Sequence, residues 1–105
     1  MTQKFRLENG TLCVLVNLHP YLLHEFEQMC QRLLKFPNRN LSIDLTSCDF
    51  ISTVFLSTMI RTHLAAQRED RRLTLKIGPS LEQFFIYASL DKTFHIDLCK
   101  QHRSI

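Results

Sequence analysis

Glycine is almost missing from this chain: there are two, Gly10 and Gly78, in 105 residues. A GxxxxGK[ST] loop or a GxGxxG fingerprint needs several glycines close together, because only glycine lets the backbone approach a phosphate so closely. Both nucleotide motifs are excluded. No GxSxG elbow occurs either. The four cysteines, Cys13, Cys30, Cys48 and Cys99, never form a CxxC pair, so neither a zinc ribbon nor a thioredoxin-type site is indicated. They read as free thiols of a reducing compartment, used as small apolar groups. No run approaches the ~20 apolar residues of a membrane-spanning helix. The opening MTQKFRLENG lacks the apolar core of a secretory signal. The expectation is a cytoplasmic protein without direct membrane insertion.

Charge is also short. Thirteen Lys and Arg stand against ten Asp and Glu, a formal +3, which does not argue nucleic-acid binding. The basic residues are scattered except at Arg68, Arg71 and Arg72. Glu69 and Asp70 interrupt that group, so it reads as a solvated turn rather than a phosphate patch.

Few residues invite chemistry. His19 and His24 are five apart across a proline-initiated helix start, poor spacing for two metal ligands on one face. His63 falls on the apolar side of a helix and reads as a satisfied, partly buried histidine. Cys48 lies near Ser52 and Thr53, but the local sequence brings it no histidine to act as base. No catalytic residue, metal ligand or cofactor is therefore expected, and the chain does not read as an enzyme.

What is present is globular: 45% hydrophobic and 22% charged residues, enough in one chain of this size for a single core. Residues 1–105 read as one domain. Residues 3–8 suggest a short strand, Asn9-Gly10 a hairpin turn and Thr11–Asn17 a returning strand. Pro20 suits the first turn of a helix. Leu22, Leu23, Phe26, Met29, Cys30, Leu33 and Leu34 continue it with helical spacing to about Lys35, where Phe36-Pro37 stops it.

Leu41, Ile43 and Leu45 alternate with Ser42 and Asp44 as a strand. A polar turn follows. Val54, Leu56, Met59, Ile60, His63 and Leu64 then give the apolar side of a central helix, with Ser57, Thr58, Arg61 and Thr62 on other faces. Residues 72–77 alternate as another strand. Ser80 can cap a helix over about 81–89, residues 93–97 form a last strand, and the tail from Leu98 to Ile105 is polar and basic. The class is α/β: a mixed β-sheet with helices mainly on one face, in the order β-β-α-β-α-β-α-β. No repeat, low-complexity segment or linker appears.

The strand-to-helix junction is the candidate site. Ser52 and Thr53 stand where the central helix begins. A hydroxyl there can cap the helix, or it can carry an anion, which the free N–H groups and the helix dipole favour.

The stretch LSIDLTSCDFISTVFLSTMI resembles the signature of the STAS domain, the fold of bacterial anti-sigma factor antagonists. Asp44-Leu45-Thr46 matches the family's strand end and Phe50-Ile51 its apolar pair. Ser52 takes the family's Asp position, Thr53 that of the phosphorylated Ser, and Val54 that of a second hydroxyl. Phe55-Leu56-Ser57 replaces Gly-Leu-Gly. Val16-Asn17-Leu18-His19 with Pro20, and Leu73–Leu90 followed by Phe94-His95-Ile96, resemble flanking segments of the family.

The resemblance implies a STAS-like fold over nearly the whole chain, and partner switching as its work in transcription regulation. The unphosphorylated form would bind an anti-sigma factor that is also a serine protein kinase. Phosphorylation of Thr53, or secondarily Ser52, would release it, and a serine/threonine phosphatase would restore binding. Asp49, Ser52, Thr53, Phe55, Leu56 and Ser57 would form the centre of the partner surface. The alternative is a STAS subunit of a lipid-transport ATPase or sensory complex that binds its partner without phosphorylation.

Overall fold

Asn9 and Gly10 both adopt left-handed angles, φ 48° and 78°, which is what a two-residue type I′ hairpin turn requires. The computed structural model describes residues 3–99. In it this turn joins β1 (Phe5–Glu8) to β2 (Thr11–Val14), antiparallel, with Phe5 opposite Val14 and Glu8 opposite Thr11. A side chain at Gly10 would meet Asn38 at 2.7 Å, so this glycine serves both the turn and a close contact.

Three strand–helix–strand units follow. Pro20–Leu22 make a 3-10 turn leading into α1 (Leu23–Leu34), then β3 (Asn40–Leu45). A second 3-10 turn, Thr53–Phe55, leads into α2 (Leu56–Arg68), then β4 (Arg72–Ile77). Next come α3 (Pro79–Tyr87), a short 3-10 turn and β5 (His95–Leu98). The sheet runs β1-β2-β3-β4-β5, antiparallel at the hairpin and parallel elsewhere.

Register explains the layers. Leu7, Leu12, Ile43, Leu75 and Ile96 form one apolar row across all five strands. Because side chains alternate along a strand, the next row points the other way: Arg6, Cys13, Asp44, Lys76 and Asp97. The apolar face and the helix residues Phe26, Leu33, Phe55, Met59, Leu81 and Phe85 share one core. The other face is polar. No helix among the described residues is long and apolar enough to cross a membrane.

Several elements differ from the sequence reading. β2 stops at Val14, β5 starts at His95, and the tail beyond Cys99 lies outside the described residues. Ser80 does not cap α3. Gly78 takes the cap position and Pro79 the first helical one, where a fixed φ and a missing N–H cost nothing.

The buried face of α2 is only partly the one expected. Met59 and His63 are buried as expected, but Thr58 and Thr62 are buried too, whereas Leu64, and Val54 in the preceding 3-10 turn, are exposed. α1 packs on the side of the threonines, whose small size lets it come close. Thr58 donates to the Glu27 carboxylate at 3.2 Å and Thr62 to the carbonyl of Thr58 at 2.8 Å, so both hydroxyls are satisfied inside the interface.

Arg71 is no solvated arginine. Its guanidinium donates to the carbonyls of Leu34, Phe36 and Asn38 and to the Glu69 carboxylate. It closes the carbonyl end of α1, which a helix otherwise leaves unpaired.

Candidate functional site

The site is built where β3 ends. The Asp44 carboxylate accepts from the Thr46 N–H at 3.0 Å and its hydroxyl at 2.6 Å, which turns the chain out of the strand. Asn17, just beyond β2, accepts from the N–H groups of Asp49 and Phe50 at 2.8 and 3.3 Å. Leu18 then exchanges backbone hydrogen bonds with this loop: its N–H donates to Phe50 and its carbonyl accepts from Ser52. A brief parallel bridge thus carries the β2–β3 pairing to the helix start and fixes the backbone of residues 50–52.

Ser52 is extended (φ −67°, ψ 143°), and its hydroxyl accepts from the Val54 N–H at 3.4 Å. It is the N-cap of the two hydroxyl residues. Thr53 is exposed, opens the 3-10 turn, and its hydroxyl has no hydrogen bond among the described residues. Cap and free hydroxyl are therefore separate side chains.

The remaining expected residues divide. Asp49 and Ser57 are exposed and Leu56 is half-buried. Ser57 accepts from Arg61 at 3.1 Å. Phe55 is a correction: its exposure is 0%, so it cannot belong to a contact surface. Its ring meets Phe26 edge-on at 5.4 Å, and Phe26 in turn meets Phe5 at 6.2 Å. A ring this large contributes most when removed from water. Here it pins the first turn of the helix to α1 and the hairpin.

Phe50 takes the exposed position instead, at 45%. His19 lies between Phe50 and Tyr21, 5.2 Å from one ring and stacked 6.0 Å from the other. Tyr21 is 78% exposed. A recess of about 390 Å³ opens beside Thr53, with Phe50 and Ser52 on one side and Ser80, Leu81 and Phe84 of α3 on the other. Sequence reasoning did not place Phe50, His19, Tyr21, Ser80 or Phe84 at the site. The available signal was Phe50 beside Asp49 in a turn, where an apolar ring has no strand or helix to bury it.

Cys48 is not a nucleophile. It is buried and donates its S–H to the Val16 carbonyl at 3.1 Å. Burial, with Asp44 and Asp49 nearby, pushes its thiol up to about 12, so the reactive thiolate is absent at neutral pH. Burial does the same to Cys30, also up to about 12.

His63 is more buried than the sequence suggested, at 4% exposure, and its Nδ1 has no partner among the described residues. It packs against Phe94 at 5.5 Å and His95 at 6.0 Å. Burial, then the nearby His95, lowers its pKa from the ordinary 6.5. Among the described residues no three His, Cys, Asp or Glu side chains come together as a metal set.

No protein-family model matches the chain, and no curated protein matches it.

Proposed function

We propose that this chain is a phosphorylation-controlled binding module of the anti-sigma factor antagonist kind, with a STAS-like fold and no catalysis of its own. The observation that carries the reading is the exposed hydroxyl of Thr53 at the start of the central helix, without a hydrogen bond among the described residues and beside a neighbour that performs the capping. A phosphate on Thr53 adds about −1.5 to −2 charges. The fold tolerates it there, because the phosphate stands at a helix start and buries nothing. A partner seated on Phe50 and the adjoining recess does not, because it must desolvate that charge.

In this reading the partner is an anti-sigma factor that is also a serine protein kinase, and a serine/threonine phosphatase reverses the modification. Asp49, Thr53 and Ser57 remain in the contact surface with half-buried Ser52 and Leu56. Phe50 replaces Phe55 as its apolar anchor.

One observation favours a second reading. Ser52 stands where the resembling family has an acid, and its hydroxyl is engaged in the cap, so the acceptor lacks an adjacent carboxylate. A constitutive subunit of a lipid-transport ATPase or sensory complex needs none.

Thr53→Ala separates the two. With the native kinase present, the variant stays bound to its partner permanently if the module switches. It behaves as wild type if binding is constitutive. Co-purification from the native cells, with intact-mass analysis of the recovered chain, reads the result. Identical partner occupancy for wild type and variant under active kinase rejects the switch.

A further inference from the structure

Among the described residues, basic side chains gather at the end of the sheet opposite Thr53. Lys35 follows α1, Arg39 precedes β3, Arg68 ends α2, and Arg71 and Arg72 lead into β4. Glu69 and Asp70 are the acids among them. With Arg32 in the last turn of α1, cations outnumber acids here.

Helix ends account for part of it. α1 and α2 both stop here, and their last carbonyls attract cations. Arg71 is fully used in this way. Arg39 gives one nitrogen to the Asp70 carbonyl at 3.1 Å. Arg72 and His95 are different. Both are exposed, and neither side chain has a hydrogen bond or ion pair with the described residues.

These groups surround one shallow depression that is wide open to solvent: Arg39, Asn40, Gln67, Arg72 and His95 line about 650 Å³, with Asp70 and Arg71 also at its edge. Apart from the Asp70 carboxylate, its side chains supply donors: guanidinium groups, amide N–H groups and an imidazole. Planar guanidinium groups with neighbouring N–H donors match the several oxygens of a phosphate. Beside His95 stands His63, buried and with Nδ1 unpaired among the described residues.

We propose that this recess binds a phosphate-type oxyanion between the guanidinium groups of Arg39 and Arg72 and the imidazole of His95. The site is separate from Thr53, and it does not depend on the partner-switching reading. Its volume admits a phosphate together with the group that carries it, so a small monoester or a lipid headgroup both fit the chemistry.

The test is a heteronuclear NMR titration of the full chain with inorganic phosphate, at constant ionic strength and about pH 6.5, near the ordinary imidazole value. The backbone signals of Arg39, Asn40, Gln67, Arg72 and His95 shift and saturate, with half-saturation on the order of 1 mM. Those of Phe50 and Thr53 stay in place. The ring signals of His95 shift with the backbone signals of the recess, because its imidazole lines that recess.

Arg72→Gln, an exposed change outside the core, weakens the response at least about tenfold. Arg68→Gln, a cation of the same end outside the recess, leaves it intact. Shifts that do not saturate, that survive Arg72→Gln, or that spread equally to Arg6, Arg32 and Arg61 overturn the proposal.

Phosphatidylcholine vesicles containing phosphatidic acid identify the carrier. Co-sedimentation lost in Arg72→Gln assigns the phosphate to a lipid. Saturable phosphate shifts without co-sedimentation assign it to a soluble molecule.

Discussion

The helices begin at one end of this sheet and stop at the other, and the two ends differ in everything that matters for binding. At the starting end lie Thr53, Phe50, His19 and Tyr21, with Asp49 as the exposed carboxylate of the junction. At the stopping end lie Arg39, Arg68, Arg71 and Arg72. Parallel strands force this polarity, because each crossover helix must run back against its strands. Free N–H groups then collect at one rim and free carbonyls at the other. The first rim suits an added phosphate on a hydroxyl. The second needs cations for its own carbonyls, and the recess around Arg72 uses the cations that those carbonyls leave free.

The largest expected effect tests whether Phe55 or Phe50 is the structural ring. Phe55→Ala should cost about 3–5 kcal/mol, the range for a large-to-small change in a packed core. Phe50→Ala should cost less than about 1 kcal/mol and instead weaken partner binding. Urea denaturation of both variants reads the difference, and equal losses would erase the distinction between anchor and core.

At the stopping end, Arg71→Met should cost about 1–3 kcal/mol, since it leaves carbonyls of Leu34, Phe36 and Asn38 without their donor. Arg72→Met should stay within about 0.5 kcal/mol. If the two arginines prove equivalent in the same denaturation experiment, the stopping end has no free cation to offer a ligand.

Ser52→Ala removes a long cap bond and should cost about 0.5–1 kcal/mol. Thr53→Ala should change stability by less than about 0.5 kcal/mol. The order of these two melting temperatures checks which hydroxyl serves the fold. A reversed order would make Thr53 the cap and take away its role as a free acceptor.

A pH effect belongs to His63. Its folded pKa lies below the unfolded value of 6.5, so the unfolded chain binds more protons once pH falls below 6.5. The stability contributed by neutral His63 is therefore complete above the unfolded value and declines as pH drops toward the folded one. His63→Leu should flatten this slope in melts taken from about pH 7.5 to pH 5. An unchanged slope would locate the acid sensitivity elsewhere.

Much of the fold was legible because its signals are local. Leu41, Ile43 and Leu45 alternate, Asn9-Gly10 can hardly be other than a hairpin turn, and Pro20 marks a helix entry. The site was legible only in outline. Ser52 and Thr53 were placed at the helix start, yet nothing local says which hydroxyl caps. Phe50 and Phe55 are five residues apart and equally apolar. Their opposite fates depend on Phe26, which lies about thirty residues away in α1.

The sequence by itself determined the α/β class, the hairpin turn and the entry to the first helix, because backbone angles and side-chain period are properties of neighbouring residues. Only the tertiary structure decided which face of α2 is buried, which phenylalanine meets solvent and which arginines remain free. Those outcomes depend on packing against α1 and on the carbonyl ends of other elements, and burial and hydrogen-bond satisfaction are settled between segments far apart in the chain.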